Sequence, residues 1–303
     1  MSKNSKIRNI LSKDGLWFIL YYILRFSSLD RILSDKLYLK IKYRCFMGKP
    51  LHLDPPITFN EKLQWLKLYD HNPIYTTMAD KYAVKKFVAE KIGEQYIIPT
   101  LGVWDNVESI DFNSLPNQFA LKTTHDSGGV CICKDIGNFD IEAAKKKLSD
   151  SLKTNFYLLG REWPYEDVPK RIIAEKYMED LDTKELRDYK FFCFLGEVKM
   201  MFIATDRQNR VEPYFDFYDR DFNHLDIING HPQNPLTPSK PTHYSEMIRL
   251  AEKLSQGIPH VRVDFYEVNG NIYFGEYTFF HHSGCMPMEP EEWDYKMGEW
   301  IKI

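Results

Sequence analysis

Between Arg262-Val263-Asp264 and Glu276 lie two runs rich in aromatic and β-branched residues, broken by Asn269-Gly270-Asn271. An Asn-Gly break between such runs predicts a β-hairpin, and the length of its loop decides what the hairpin can do. If Asn269 to Asn271 form a three-residue loop, position 264 lies opposite position 276, with the two carboxylates on one face and their Cβ atoms roughly 5 Å apart. A strict two-residue Asn-Gly turn puts them on opposite faces. Carboxylates that close repel, so the arrangement requires a compensating cation or a raised pKa on one of them. Oxygen-only ligands point to magnesium, commonly held by one or two carboxylates together with substrate phosphates. The competing reading is an ordinary hairpin with solvated acids on its outer face.

A second element runs from Phe119 to Cys133, where a strand enters the polar loop Thr123-Thr124-His125-Asp126-Ser127-Gly128-Gly129 and a strand leaves it. The glycine pair permits close approach of backbone amides to phosphate oxygens, and Lys122 at the strand end offers a point charge to the same anion. No Gly-Lys-Ser/Thr follows, so this is not a Walker A loop. A surface hairpin is the plainer alternative. Between these elements, Arg171-Ile172-Ile173-Ala174-Glu175-Lys176-Tyr177-Met178 and Asp188-Tyr189-Lys190-Phe191-Phe192 read as two buried strands.

The order of these three elements resembles the ATP-grasp superfamily, and more closely its TupA-like branch, associated with teichuronopeptide biosynthesis. The resemblance runs from about Ile57 to the C-terminus. It is carried by Thr58-Phe59-Asn60-Glu61-Lys62-Leu63-Gln64-Trp65, Asp80-Lys81-Tyr82-Ala83-Val84, Leu121-Lys122, Ser127-Gly128-Gly129, Asp188-Tyr189-Lys190-Phe191, and Arg262-Val263-Asp264 through Phe274-Gly275-Glu276-Tyr277-Thr278. It implies an α+β fold in which two lobes, roughly 57–178 and 179–303, enclose a nucleotide cleft; ahead of it, the residues of 1–56 are expected to form a basic helical region. ATP and Mg2+ are the implied cofactors. By the same resemblance Lys122 and Lys176 flank the nucleotide, Ser127, Gly128 and Gly129 form a loop over its phosphates, and Glu175 to Met178 form the hinge at the adenine edge. Asp188 or Lys190 is expected near ribose or phosphate. Asp264 and Glu276 match the magnesium ligands, and Arg262 the arginine that neutralises a developing oxyanion in the D-alanine ligase branch. Where that branch has asparagine two residues beyond the glutamate, this chain has Thr278, a poorer magnesium ligand, which puts a second metal site in doubt.

The 303 residues, 44% hydrophobic and 15% aromatic, suffice for one or two ordinary cores. A net charge of −3 gives no case for nucleic-acid binding. Five cysteines with no zinc spacing suggest reduced thiols in a cytosolic setting, with Cys131 and Cys133 on one strand face as core residues. Charge is uneven along the chain. Residues 1–50 hold eleven Lys or Arg against three Asp, a balance of 11 − 3 = +8, and within them lies the apolar stretch Leu16 to Leu24. At nine residues this stretch is shorter than the roughly twenty that span a bilayer. A basic, aromatic-rich helix of this kind either lies in an anionic membrane surface or packs on the protein's own body.

Thr58-x-x-Glu61 predicts a capping box opening a helix, and a second helix is expected over Met78–Lys91, ended by Gly93. Strands are expected near 97–103, 118–123, 130–134, 189–195 and 199–204, with helices over 141–154 and 244–256. His281, His282 and Ser283 follow the acidic hairpin and, with Arg207 and Thr278, are candidate substrate contacts.

The resemblance implies a carboxylate-amine ligase: a substrate carboxylate attacks the γ-phosphate of ATP, and an amine displaces phosphate from the resulting acyl phosphate. The expected partners are a carboxylate, such as a uronic acid of a bacterial capsule or O-antigen precursor, and an amine donor. The expected location is cytoplasmic, with contact to the inner membrane face through residues 1–50. The alternatives are a glycosyltransferase using a nucleotide sugar and a non-catalytic scaffold.

Overall fold

The computed structural model describes residues 15–182, 185–206 and 212–303. Two antiparallel sheets organise them. The smaller contains β1 (Thr100–Trp104), β2 (Phe119–Thr123), β3 (Val130–Cys133) and β4 (Ile172–Lys176), in the order β1-β4-β2-β3. The larger contains β5 (Asp188–Phe194), β6 (Glu197–Thr205), β7 (Tyr214–Asp219), β8 (His224–Leu225), β9 (Val261–Val268) and β10 (Asn271–Thr278), in the order β10-β9-β5-β6-β7-β8. Helices segregate from these sheets, so the architecture is α+β, as expected.

Helices cover a face of the smaller sheet and both faces of the larger, where Phe191 meets Tyr244 on one side and Phe192 meets Phe59 on the other. Phe119, Leu121, Cys131, Cys133, Ile172 and Ala174 form a core with Ala144 and Leu148 of the helix Ile141–Lys153. Cys131 and Cys133 are therefore core residues, and all five cysteines are buried thiols outside any disulfide. The larger sheet's core, built around Phe191, Phe192, Phe202 and Phe265, takes in Met247, Leu250 and Leu254 of the helix Tyr244–Leu254. It also takes in Phe59 and Leu63 of the helix Phe59–Tyr69 and Val84 and Val88 of the helix Ala83–Ile92.

The capping box is present. Thr58 Oγ1 accepts from the Glu61 amide at 3.3 Å, and Glu61 Oε2 accepts from the Thr58 amide at 3.1 Å. The helix expected over 78–91 is instead two, Ile74–Ala79 and Ala83–Ile92, with Gly93 closing the second at φ 119°. Asp80 makes the break: its carboxylate accepts from the Tyr82 amide at 2.8 Å and from Arg171 at 2.6 Å, a local bond that competes with helix continuation. The helix Glu292–Trp300 and strands β7 and β8 have no counterpart in the sequence reading. The C-terminal helix is held by a tertiary bond, Asp294 Oδ1 accepting from the Asn60 amide and side chain at 2.9 Å each.

In the basic N-terminal region, α1 (Gly15–Phe26) and α2 (Asp35–Met47) pack together through Phe18, Tyr21, Leu24, Tyr38, Leu39 and Tyr43. Among the described residues no helix is long and apolar enough to cross a membrane.

Candidate active site

A cleft of about 340 Å³ lies between the two sheets. Lys122, Ile132, Glu175, Lys176, Tyr177 and Met178 line it from the smaller sheet, and Asp188, Tyr266, Phe274 and Glu276 from the larger. Ser127 reaches it, as do Lys81 and Lys85 from the broken helix. Ile98, Met178 and Val268 cluster with Leu186 and Tyr266 to form an apolar wall, suited to a flat aromatic ring.

The sequence placed Lys122 and Lys176 here but missed Lys81 and Lys85. The break at Asp80 frees Lys81, whose amide bonds the Thr124 carbonyl at 3.2 Å and whose ammonium donates to the Asp126 carbonyl of the glycine loop. Lys85 Nζ lies 2.5 Å from Glu175 Oε1, and Lys122 Nζ lies 2.6 Å from Glu175 Oε2. Burial alone would raise the pKa of Glu175, but Lys122 and Lys85 outweigh it and hold the carboxyl at about 2. Burial also lowers Lys81 and Lys85 from the usual lysine range. The motif Asp80-Lys81-Tyr82-Ala83-Val84 was the available signal, with lysines at 81 and 85 spaced for one helical face.

Within the glycine loop, Asp126 accepts from Thr123 Oγ1 at 2.5 Å, from the Gly129 amide at 3.2 Å and from the Ser151 hydroxyl. A Cβ on Gly129 would collide with the hydroxyls of Thr123 and Ser151, so packing against this knot is what requires glycine there. Gly128, by contrast, faces open space apart from Asp126. Ser127 lines the cleft.

From the larger sheet the acidic hairpin reaches the cleft through Phe274, Gly275 and Glu276. Its loop is the strict two-residue turn, with Asn269 at φ 50° and Gly270 at φ 73°, both in the left-handed region such a turn demands. That turn alone would place Asp264 and Glu276 on opposite faces. A β-bulge between Phe274 and Glu276 shifts the register by one residue, so Glu276 pairs with Asp264 after all. Lys190 pairs with Asp264 from the other side, on β5. Three charged residues from three adjacent strands thus share one row of the sheet.

Asp264 is fully buried. Its oxygens accept from Arg262 Nε at 2.7 Å, Arg262 Nη2 at 2.8 Å and Lys190 Nζ at 2.5 Å. Burial pushes its pKa up, and Arg262 and Lys190 together bring it below the usual carboxylate range. The Glu276 side chain is 44% exposed and lies 3.7 Å from Arg262. Thr278 Oγ1 accepts from Arg262 Nη2 at 2.9 Å. The third edge of the guanidinium meets His281, whose Nδ1 accepts from Nη1 at 2.7 Å while Nε2 bonds Asn229 Oδ1 at 2.8 Å. This pattern requires a neutral ring protonated on Nε2, and burial with the neighbouring His282 and Arg262 keeps the His281 pKa far below its ordinary value.

Asp188 lines the cleft 3.4 Å from Lys190, whereas Lys190 itself is turned onto Asp264. His282 is stacked near Phe215 and tilted against His231, with burial lowering its pKa to about 3. Ser283 accepts from Lys42 at 3.0 Å and Lys67 at 2.9 Å, which ties it to the helices rather than to the cleft. Arg207 lies outside the described residues.

A family model described as TupA-like ATPgrasp matches residues 61–302, covering both sheets, the cleft and the hairpin. The chain belongs to the TupA-like ATP-grasp family. No curated protein matches this TupA-like chain. Solved structures similar to it include an L-amino acid ligase from Bacillus licheniformis, at 10% identity over 84% of this chain and 55% of that one, with a TM-score of 0.44. A D-alanine-D-alanine ligase from Helicobacter pylori matches at 14% identity over 80% and 69%, TM-score 0.39. An N5-carboxyaminoimidazole synthase from Aspergillus clavatus, in complex with ADP and 5-aminoimidazole ribonucleotide, matches at 14% over 68% and 46%, TM-score 0.38. The TupA-like chain spans from about half to just over two thirds of the length of these structures.

Proposed function

We propose that this chain is an ATP-dependent carboxylate-amine ligase that forms an amide through an acyl phosphate. The observation that carries the reading is the row Lys190–Asp264–Glu276, with Arg262 clamped beside it, on the larger sheet's side of a cleft that also presents Lys81, Lys85 and Lys122, with Lys81 close enough to feel the charge of Glu276. The apolar wall fits adenine and the lysines fit phosphate oxygens. Glu276, half-exposed at the cleft, fits a magnesium ion shared with substrate phosphates, and Asp264 is the adjacent second carboxylate. When bound there, the ion would offset charge on the transferring phosphoryl group.

In this reading the chain positions and neutralises, and no side chain acts as a nucleophile. Lys122 and Lys81 hold the phosphates while a carboxylate oxygen attacks the γ-phosphorus and the bond to the β-bridging oxygen breaks, releasing ADP. The lone pair of an amine then attacks the acyl carbon. The amine loses a proton, the acyl–oxygen bond breaks, and phosphate leaves. Arg262, held by Asp264, Thr278 and His281 on three edges, is fixed to meet the oxyanion of that tetrahedral intermediate. The carboxylate is proposed to belong to a uronic acid of a cell-surface polysaccharide precursor, handled on the cytoplasmic side at the membrane surface.

Thermal denaturation with ATP, ADP, UDP-sugars and CMP-sugars, each with and without magnesium, tests the reading, since a ligand of the native state raises the melting temperature. Magnesium-dependent stabilisation by ATP and ADP is expected, followed by phosphate release in a screen of uronic acids and amines. Stabilisation by sugar nucleotides alone would replace it with a glycosyltransferase.

A further inference from the structure

Helix α1 is apolar on two sides. Phe18, Tyr21 and Leu24 face α2, while Leu16, Ile19 and Ile23 recur at helical spacing on the outer side with exposures of 74%, 45% and 55%. Phe26, at 85%, ends the helix three residues after Ile23, and Ile32, at 79%, is a further exposed apolar residue beyond it. Scattered exposed apolar residues are ordinary, but a contiguous patch of large ones signals a partner. The connection to α2 and α2 itself carry the exposed cations Arg31, Lys36 and Lys40, while Arg25 is paired with Asp30 at 2.8 Å. Residues 15–50 carry seven Lys or Arg and two Asp, a balance of 7 − 2 = +5, within a chain whose total is −3.

We propose that the outward face of α1 is a docking surface for an anionic lipid bilayer, with Leu16, Ile19, Ile23 and Phe26 entering the interface and Arg31, Lys36 and Lys40 meeting lipid phosphates. The charge decides between occupants. A second copy of this chain would set the exposed Arg31, Lys36 and Lys40 against the same three cations, whereas an anionic surface is complementary to them. The helix is 12 residues long, about 18 Å, so it lies on the bilayer rather than crossing it.

This surface is tied to the site. Tyr38 Oη and Lys42 Nζ of α2 donate to the Leu159 carbonyl at 3.2 and 2.9 Å, and Tyr157 Oη donates to Asp35 at 2.7 Å. Lys42 also donates to Ser283, in the turn that follows β10 and bears His281. Docking α1 therefore holds the turn after the acidic hairpin at a set position relative to the bilayer, as a membrane-borne acceptor requires. That last step rests on the ligase reading, whereas lipid binding does not.

The test is co-sedimentation of the full chain with phosphatidylcholine vesicles, with and without phosphatidylglycerol, at low and high salt, beside size-exclusion chromatography with light scattering. Binding is expected to the anionic vesicles, weakened by salt. It should fall by more than roughly tenfold in an Ile19→Glu/Ile23→Glu/Phe26→Glu variant, which exchanges apolar burial for charge. An Arg31→Gln/Lys36→Gln/Lys40→Gln variant should lose the preference for anionic lipid. Undiminished binding by the first variant overturns the proposal, as does a wild-type chain that ignores vesicles, whether it runs as a monomer or as a dimer that the variant splits. ATP-dependent thermal stabilisation in the variants reports the nucleotide site independently. Its absence in every form would fail the ligase reading and leave the lipid result standing.

Discussion

Glu175 and Asp264 are each buried between two cations, and they differ in what their partners leave open. Around Glu175, Lys85 and Lys122 keep 13% and 23% of their side chains exposed in the cleft. Around Asp264, Lys190 and Arg262 keep 8% and 9%, and the accessible charge is the neighbouring carboxylate of Glu276. One cluster uses a hidden acid to hold cations out to a ligand. The other uses hidden cations to keep an acid ionised beside a second acid. In both, burial opposes ionisation and the paired charges win, so removing one member strands the rest, which costs more than the pair itself contributes.

The largest expected effect tests the acidic cluster. Glu276→Gln and Asp264→Asn should each abolish magnesium-dependent turnover, but only the second should damage the fold. Asp264→Asn leaves Arg262 and Lys190 without their counter-charge and should cost about 3–5 kcal/mol. Glu276→Gln, at a half-exposed position, should stay within about 0.5 kcal/mol. Denaturant unfolding beside a phosphate-release assay measures both. Equal stability losses would erase the distinction between hidden and accessible acid.

Glu175→Gln probes the other cluster. Its folded pKa, about 2 against an ordinary 4.5, makes ionised Glu175 a stabilising group above about pH 4.5, and this is lost as pH falls toward 2. The shift corresponds to about 3 kcal/mol. Between pH 5 and 2 the variant should therefore lose less stability than the wild type, and parallel acid-denaturation curves would contradict the pairing.

A smaller effect separates the lysines. Lys122→Ala should weaken ATP binding by about tenfold or more, whereas Lys176→Ala, at an exposed position, should change it by a few-fold, as read by calorimetric titration. Smallest is Thr278→Ala, which removes one hydrogen bond to Arg262. It should lower kcat by only about twofold with KM nearly unchanged if Arg262 acts only on the oxyanion.

Much of this was legible from local pattern. The alternation of β-branched and aromatic residues located the strands of the cleft, Thr58 and Glu61 marked a helix start, and the polar breaks marked the two loops. What local pattern misjudged were bonds made by distant partners. Met78 to Lys91 reads as one helix by periodicity, yet Asp80, bound by Arg171 from 91 residues away, divides it and turns Lys81 into the cleft. The sequence-adjacent His281, Ser283 and Thr278 were grouped as substrate contacts. In the fold His281 and Thr278 hold Arg262, and Ser283 faces two lysines.

The acidic hairpin marks the boundary most clearly. Residue identity alone determined that two carboxylates, an arginine and an Asn-Gly turn occur together, and covalent spacing confined them to one hairpin. Whether the acids meet was decided by a single extra residue at Gly275, because side chains alternate faces every residue and a one-residue slip inverts the pattern. A bulge leaves no mark in local periodicity. It is selected by what the strand packs against and pairs with across the sheet, and here those partners are β9 and, beyond it, Lys190 on β5.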